Sequence, residues 1–142
     1  MASKSTIRIE MEMYNAIEAL MAKLIQGEFY PGSTVQRPDT ATTEDAVLTV
    51  SSADAGQIEQ GTARLNIYVP DIDCGMPTKV GNTGRLDELA AADEEVVDTL
   101  NGADTDYLFE LKQATQVLSV PDKSEHFVNI TLRFYLVTFN ND

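Results

Sequence analysis

The strongest organising signal lies near the end of the chain, where Val128, Ile130, Leu132, Phe134 and Leu136 alternate with Asn129, Thr131, Arg133 and Tyr135. Successive side chains of a strand point to opposite faces, so this run predicts a long strand with one apolar side. Such a strand needs neighbours to complete its backbone hydrogen bonds and a second layer to bury its apolar side. Alternation this regular marks a sheet with one face on the core and the other turned to water or to a neighbour. The rest of the chain must supply the other strands and the covering layer.

Three further runs read as strands. Residues 46–52 (AVLTVSS) and 62–70 (TARLNIYVP) are rich in β-branched and apolar side chains, and the polar segment ADAGQIEQG between them is of hairpin size. Pro70 ends the second run, and DIDCGMPTKVGN follows as a loop. Tyr107, Phe109 and Leu111 alternate with Leu108, Glu110 and Lys112; after a bend near Ala114 the run continues through Val117–Val120, and the turn PDKSE leads to the last strand.

Two helices supply the covering layer. Tyr14, Ile17, Leu20, Met21, Leu24 and Ile25 recur at three- and four-residue steps, which predicts a helix from about Thr6, or a few residues later, to Gln26, with Gly27 as its C-terminal cap. Its first turns also alternate (Ile7, Ile9, Met11, Met13), so an extended start is a second reading. Residues 83–101 form the other helix: Asn82 or Thr83 caps it, Leu86, Leu89, Ala90, Val96, Val97 and Leu100 form its apolar stripe, and Asp87, Glu88, Glu94, Glu95 and Asp98 point away. In one continuous helix, Glu94, Glu95 and Asp98 carry negative charge toward the end where the macrodipole favours cations. The predicted architecture is α+β: a mainly antiparallel four-stranded sheet with two helices on one face, in the order α-β-β-α-β-β, as a single domain over residues 1–142. Residues 27–44, with two prolines and two glycines, form an extended loop or arm. Loops of this length are functional or disordered, so the arm is either a contact surface or a linker.

Composition narrows the function. Against 10 basic side chains stand 23 acidic ones, a formal charge of -13, which argues against gripping nucleic acid or anionic membranes through clustered Lys and Arg. The single cysteine, Cys74, cannot form an intrachain disulfide, and one cysteine with one histidine does not supply the usual zinc frameworks. Glu10, Glu12 and Glu18 interrupt what would be the apolar run of a signal peptide, and no stretch reaches the length of a membrane span.

Few residues suggest chemistry. His126 has no nearby nucleophile and reads as a structural or surface residue. Asp71 and Asp73 could share a divalent cation, but the loop lacks the further oxygen ligands of a calcium site and reads better as a solvated turn. The glycines of GMPTKVGNTGR do not have P-loop spacing, and Cys74, beside acids, reads as an unreactive thiol. No catalytic residue, metal site or cofactor is assigned. What rises above background is surface: Phe127, Tyr135, Val137 and Phe139 on the non-core face of the last strand, and Phe29, Tyr30 and Pro31 in the arm. An apolar patch of this kind meets a partner, or another segment of the same chain, such as the arm, covers it.

Arg37-Pro38, Glu44-Asp45-Ala46-Val47, Gln57 with Gly61, the string LNIYVPDI over 65–72, Arg85-Leu86 and Glu125-His126-Phe127-Val128-Asn129 together resemble the small neck and tail proteins of tailed bacteriophages. The pattern is similar to the tail-terminator or tail-completion group of phages and prophages of Bacteroides-type bacteria, and covers about residues 35–137. The resemblance implies a virion protein made in the host cytoplasm, assembled as a homo-oligomeric ring, commonly hexameric. Such a ring would close the tail tube and join it to the head-side connector, with DNA passing through it and no specific nucleic-acid, membrane or cofactor binding. It transfers no catalytic residue. The candidate contact residues are Phe29, Tyr30 and Arg37 in the arm, Asp71 and Asp73 after the second strand, and Tyr135 on the last. The alternative from the residues alone is a small acidic module that binds a ligand or a cationic protein; an enzyme ranks last.

Overall fold

A computed structural model of the chain describes residues 5–52, 60–75, 77–103 and 105–136. Its elements are α1 (Thr6–Leu24), β1 (Phe29–Pro31), β2 (Asp45–Ser52), β3 (Gln60–Pro70), α2 (Thr83–Ala90), α3 (Asp93–Gly102), β4 (Tyr107–Leu111), β5 (Gln116–Ser119) and β6 (Glu125–Leu136). The alternating run becomes β6, the most heavily paired strand. β3 pairs along one side of it over eleven residues, and β4 and β5 share the other. The order is β1-β2-β3-β6-β4, with β5 also on β6; every pairing is antiparallel except β1 with β2.

The architecture is thus α+β and mostly antiparallel, but with a mixed six-stranded sheet in place of the expected four. Two physical details account for the difference. β1 is only three residues long and ends on Pro31, so it leaves no alternating pattern. The third predicted strand is split: β4 pairs Leu111 with Leu132 whereas β5 pairs Gln116 with Asn129. The partner on β6 moves back by three residues while β4–β5 advances by five, so two extra residues bulge out around the predicted bend.

Among the described residues the helices cover one face only. Ala46, Leu48 and Val50 of β2, the alternate residues Ala63–Val69 of β3, and Val128, Ile130, Leu132 and Phe134 of β6 are buried. They join Ile9, Met13, Ile17 and Met21 of α1 and Leu86, Leu89, Val96 and Leu100 of α2 and α3 in a single core. α1 starts at the expected residue, capped by Ser5, whose hydroxyl accepts from Arg8 N–H at 3.1 Å. It stops at Leu24, with extended Ile25 as its C-cap. Gly27 is therefore not the helix cap. Its backbone runs so close to β2 that a Cβ would lie 2.1 Å from Asp45 Oδ1 and 2.4 Å from the Glu44 carbonyl oxygen.

The predicted 83–101 helix is broken at Ala91–Ala92 into α2 and α3. At about 100° per residue an unbroken helix would set Asp93 between Leu86 and Leu89 on the buried stripe. The break lets Asp93 turn outward, where its carboxylate accepts from Glu94 N–H (2.7 Å) and from the Thr115 hydroxyl (2.6 Å). It also makes Asp93, Glu94 and Glu95 the first turn of a new helix, where negative charge is favourable. The expected conflict with the macrodipole disappears for Glu94 and Glu95. Asn82 is the cap of α2, its side chain accepting from Arg85 N–H at 3.3 Å.

The second face of the sheet, defined by register, carries Asp45, Val47 and Thr49, then Arg64, Asn66 and Tyr68, then the odd-numbered residues of β6, with Leu108 and Leu118 at the edge. Its centre is polar and internally bonded: Asn129 donates to Asn66 Oδ1 and Thr131 to Asn129 Oδ1, both at 2.7 Å, and Arg133 Nε donates to Glu110 at 2.8 Å. Val137 and Phe139, expected here, lie outside the described residues, as does most of the 53–61 connection.

Candidate functional site

The arm's sequence, small residues around one arginine, takes on meaning where β2 begins, β3 ends and β6 begins. Arg37 crosses the second sheet face there. Its Nε donates to Asp45 Oδ2 (2.8 Å), its Nη2 to Glu125 Oε2 (2.7 Å) and to the Thr43 carbonyl (3.1 Å), and its Nη1 to Glu125 Oε1 (3.2 Å). The guanidinium lies 4.4 Å from the centroid of the Tyr68 ring. All three charged side chains are almost fully enclosed, at 9% exposure for Arg37, 1% for Asp45 and 2% for Glu125. Burial works against the Arg37 charge, but the hydrogen bonds to Glu125 and Asp45 outweigh it and hold its pKa above the ordinary value. Asp45 Oδ1 also accepts from Glu28 N–H (2.8 Å) and Thr43 Oγ1 (2.9 Å), and Lys123 stands 3.2 Å from Glu125. The arm is thus pinned to the domain, and one end of the second face is covered by the chain itself.

A second arginine ties the neighbouring corner. Arg85, in the first turn of α2, donates to both oxygens of Glu44 (2.9 and 2.6 Å), to Glu88 (3.2 Å) and to the carbonyl of Leu24 at the end of α1. The hydrogen bond to Glu44 is the main reason its pKa is raised. Between the corner and the end of β3 opens a cleft of about 490 Å³, lined among others by Thr42, Thr43, Glu44, Asp71, Asn82 and Arg85. Asp71 holds His126: its Oδ1 lies 2.6 Å from His126 Nδ1. The cleft offers hydrogen-bonding groups, but both of its cationic anchors, Arg85 on its wall and Arg37 beside it, are already matched to carboxylates. It is equipped to hold and orient a polar group more than to attract an anion.

The predicted contact residues do not form one patch. Arg37 and Asp71 meet the same end of the sheet, with Asp71 N–H bonded to the Ser124 carbonyl at 3.0 Å. Arg37 has its guanidinium enclosed, so the arm's cation is a fastener of this chain. Tyr135 lies ten residues from Glu125 along β6, about 33 Å by the rise of a strand, between Gln60 and Leu108. Phe29 stacks on Tyr14 with centroids 4.4 Å apart and packs against the core, while Tyr30 lies on the second face opposite Val47. Asp73 is exposed and accepts from Gly75 N–H at 2.9 Å, closing a local turn. Among the described residues no group of three or more His, Cys, Asp or Glu side chains is placed to hold a metal, and no helix is long and apolar enough to cross a membrane.

Sequence reasoning missed the Arg85–Glu44 bridge and a buried carboxylate in α1. Glu10, wholly buried, accepts from Ser33 N–H (3.1 Å), Ser33 Oγ (2.7 Å) and Val50 N–H (3.2 Å). A signal was present: at about 100° per residue Glu10 falls between Ile17 and Met21 on the apolar stripe, where an acid must find donors.

No protein-family model matches the chain, and no curated protein matches it. Among solved structures it is similar to a chain that carries only a serial designation, 14% identical, covering 99% of this chain and 100% of that one with a TM-score of 0.42.

Proposed function

We propose that this protein is a structural subunit of a tailed phage or prophage particle, which forms a ring at the end of the tail tube and joins it to the head-side connector. The observation that carries the reading is the one-sided layering. The helices cover one sheet face, while the other keeps Leu108 and Leu118 exposed, with Tyr30, Phe127 and Tyr135 partly so. An incompletely covered face on a subunit of this size is what a neighbour in an assembly would complete. The charge of -13 is compatible with a passage for DNA that does not hold it. The test mixes the purified protein with tail tubes and follows the products by light scattering and negative-stain imaging. Rings capping the tubes are the expected result. Persistent monomers that leave the tube ends bare would count against the reading.

The cleft beside Arg85 favours a second reading, a small module that binds a polar ligand through Thr42, Asp71 and Asn82. A thermal-shift screen distinguishes it: a ligand that raises the melting temperature in the native protein but not in Asn82→Ala would support it.

A further inference from the structure

An open sheet edge is a template for another chain, and natural proteins block it where pairing is unwanted. This sheet blocks most of its edge groups. On the β1 side, Ala46 N–H bonds the Glu28 carbonyl and Gly32 N–H the Leu48 carbonyl, so Phe29 and Pro31 turn outward. The Phe29 carbonyl accepts from the Tyr14 hydroxyl at 3.0 Å. Pro31 has no N–H, and its carbonyl accepts from Thr34 N–H (3.0 Å), Val35 N–H (2.9 Å) and the Thr34 hydroxyl (3.2 Å). Beyond β1 the Val50 N–H is taken by Glu10. Among the described residues only the Phe29 N–H of β1 has no partner.

The β4 edge is blocked in the same manner at Tyr107 and Phe109. Lys112 N–H donates to the Thr131 carbonyl, which sets Tyr107, Phe109 and Leu111 outward. Thr105 Oγ1 accepts from Tyr107 N–H (3.4 Å) and donates to the Tyr107 carbonyl (3.2 Å). The Asn101 amide does the same for Phe109, at 2.7 and 2.8 Å, standing in for a strand. Leu111, whose side chain packs against the core beside Val97 of α3, is the one β4 residue whose outward N–H and C=O meet no described group. β5 differs. Val120 N–H donates to the Glu125 carbonyl, so Val117 and Ser119 turn their N–H and C=O groups outward, and no described group meets them. All four residues of β5 are exposed.

We infer that β5 is a docking strand that pairs antiparallel with β5 of a second copy of this chain, about a two-fold axis at Leu118. The geometry is self-complementary. Val117 of one copy exchanges two hydrogen bonds with Ser119 of the other, and the reverse, giving four in all with the Leu118 pair between them. Residues in such a non-hydrogen-bonded pair have Cα atoms about 4.5 Å apart, so the Leu118 side chains meet on the second sheet face. Val117 and Leu118, 46% and 43% exposed, lose apolar surface to water in the process. Charge selects the same edge. Two chains of charge -13 repel over most approaches, but Gln113–Pro121 is nine residues without a charged side chain. The inference rests on main-chain geometry and does not require the phage reading, with which it shares only the exposed Leu118 side chain.

Sedimentation equilibrium of the native chain over a hundredfold range of concentration should show a monomer–dimer equilibrium. Val117→Pro removes only an outward N–H, so it leaves the β5–β6 ladder intact and should weaken the dimer at least tenfold at an unchanged circular dichroism spectrum. Leu118→Lys, which sets two ammonium groups at the axis, is the second variant should proline disturb the fold. Leu118→Cys in a Cys74→Ser background should cross-link within the dimer on mild oxidation, and Leu108→Cys should not. A native chain that stays monomeric throughout, a dimer equally tight in both Val117→Pro and Leu118→Lys, or cross-linking at 108 but not at 118 would overturn the proposal.

Discussion

Arg37→Met tests whether the arm is a fastened part of the domain. The substitution keeps most of the side-chain volume and removes the cation shared by two carboxylates that are almost fully enclosed. Removing one partner of a buried ion pair costs about 3–5 kcal/mol, because the remaining charge is left uncompensated. Here the lower end applies: Asp45 keeps Glu28 N–H and the Thr43 hydroxyl, and Glu125 keeps Lys123. The lost contact with the Tyr68 ring adds about 0.5–1 kcal/mol, for a total near 3.5 kcal/mol. With a urea dependence of about 2 kcal/mol per molar, the unfolding midpoint should fall by about 1.5–2 M, and the melting temperature by about 7–14 °C. Arg37→Lys keeps the charge but loses the bidentate geometry and the stacking, and should lie about midway. In a cycle with Glu125→Gln the two effects should fall short of additivity by about 1 kcal/mol or more. A midpoint shift under about 0.3 M for Arg37→Met, or additive effects in the cycle, would show that the arm is not held by this cluster.

Glu10→Ala leaves Val50 N–H and both Ser33 donors without their acceptor, and urea unfolding should show a loss of about 2–4 kcal/mol; Glu10→Gln, which keeps one acceptor oxygen, should lose less. Gly61→Ala would set a Cβ 2.5 Å from both the Phe134 ring and the Ser51 carbonyl oxygen, so a destabilisation of about 1–3 kcal/mol is expected in thermal melts, reduced when Phe134→Leu is also present. Tyr14→Phe should lose about 1 kcal/mol at pH 8 with the hydrogen bond to Phe29. Burial, and then Glu18, raise the Tyr14 pKa above its ordinary 10.0. The folded state therefore holds this proton more tightly than the unfolded one, a contribution complete below pH 10 and lost as pH rises through the folded value. The gap between native and Tyr14→Phe stabilities should narrow above pH 10, and a gap that widens there would contradict the assignment.

The parts of the fold that were legible in the sequence are those with a period. The alternation in β3 carries through to its buried face, and the periods of β6 and α1 are kept, although Tyr14, Leu24 and Leu136 are only half-buried and Asn129 and Thr131 on the second face of β6 are buried as well. The parts that were not legible depend on single contacts. β1 exists because Gly27 lets the chain approach β2 and because the Glu44 carbonyl accepts the Gly27 N–H, neither of which produces a pattern. The α2–α3 break was readable in principle from Asp93 on the apolar stripe, but a charge on a stripe can also be paired in place, as Glu10 is. Arg37 shows the opposite difficulty. An arginine in a polar, proline-bearing arm has the composition of a surface contact, and only the convergence of Asp45 and Glu125 from strands eighty residues apart in sequence buries it.

The blocked strand edges also constrain the proposed ring. A ring needs two different patches that fit each other head to tail, whereas a two-fold interface uses one patch twice. If sheets continued around the ring, β5 would have to pair with the β1–β2 edge of the next subunit. Tyr14, Pro31 and Glu10 occupy that edge. Contacts within the proposed ring therefore fall on the second sheet face and the loops, and β5 remains for a separate pairing between copies. The two interfaces should separate by mutation. Leu108→Glu with Tyr135→Glu places charge on the second face near the far end of β6, and should abolish rings on tail tubes while leaving the β5 dimer intact. Val117→Pro should do the reverse. Rings lost in Val117→Pro but kept in the Leu108→Glu, Tyr135→Glu variant would show that ring formation uses the β5 edge after all, and would refute the division argued from the blocked strands.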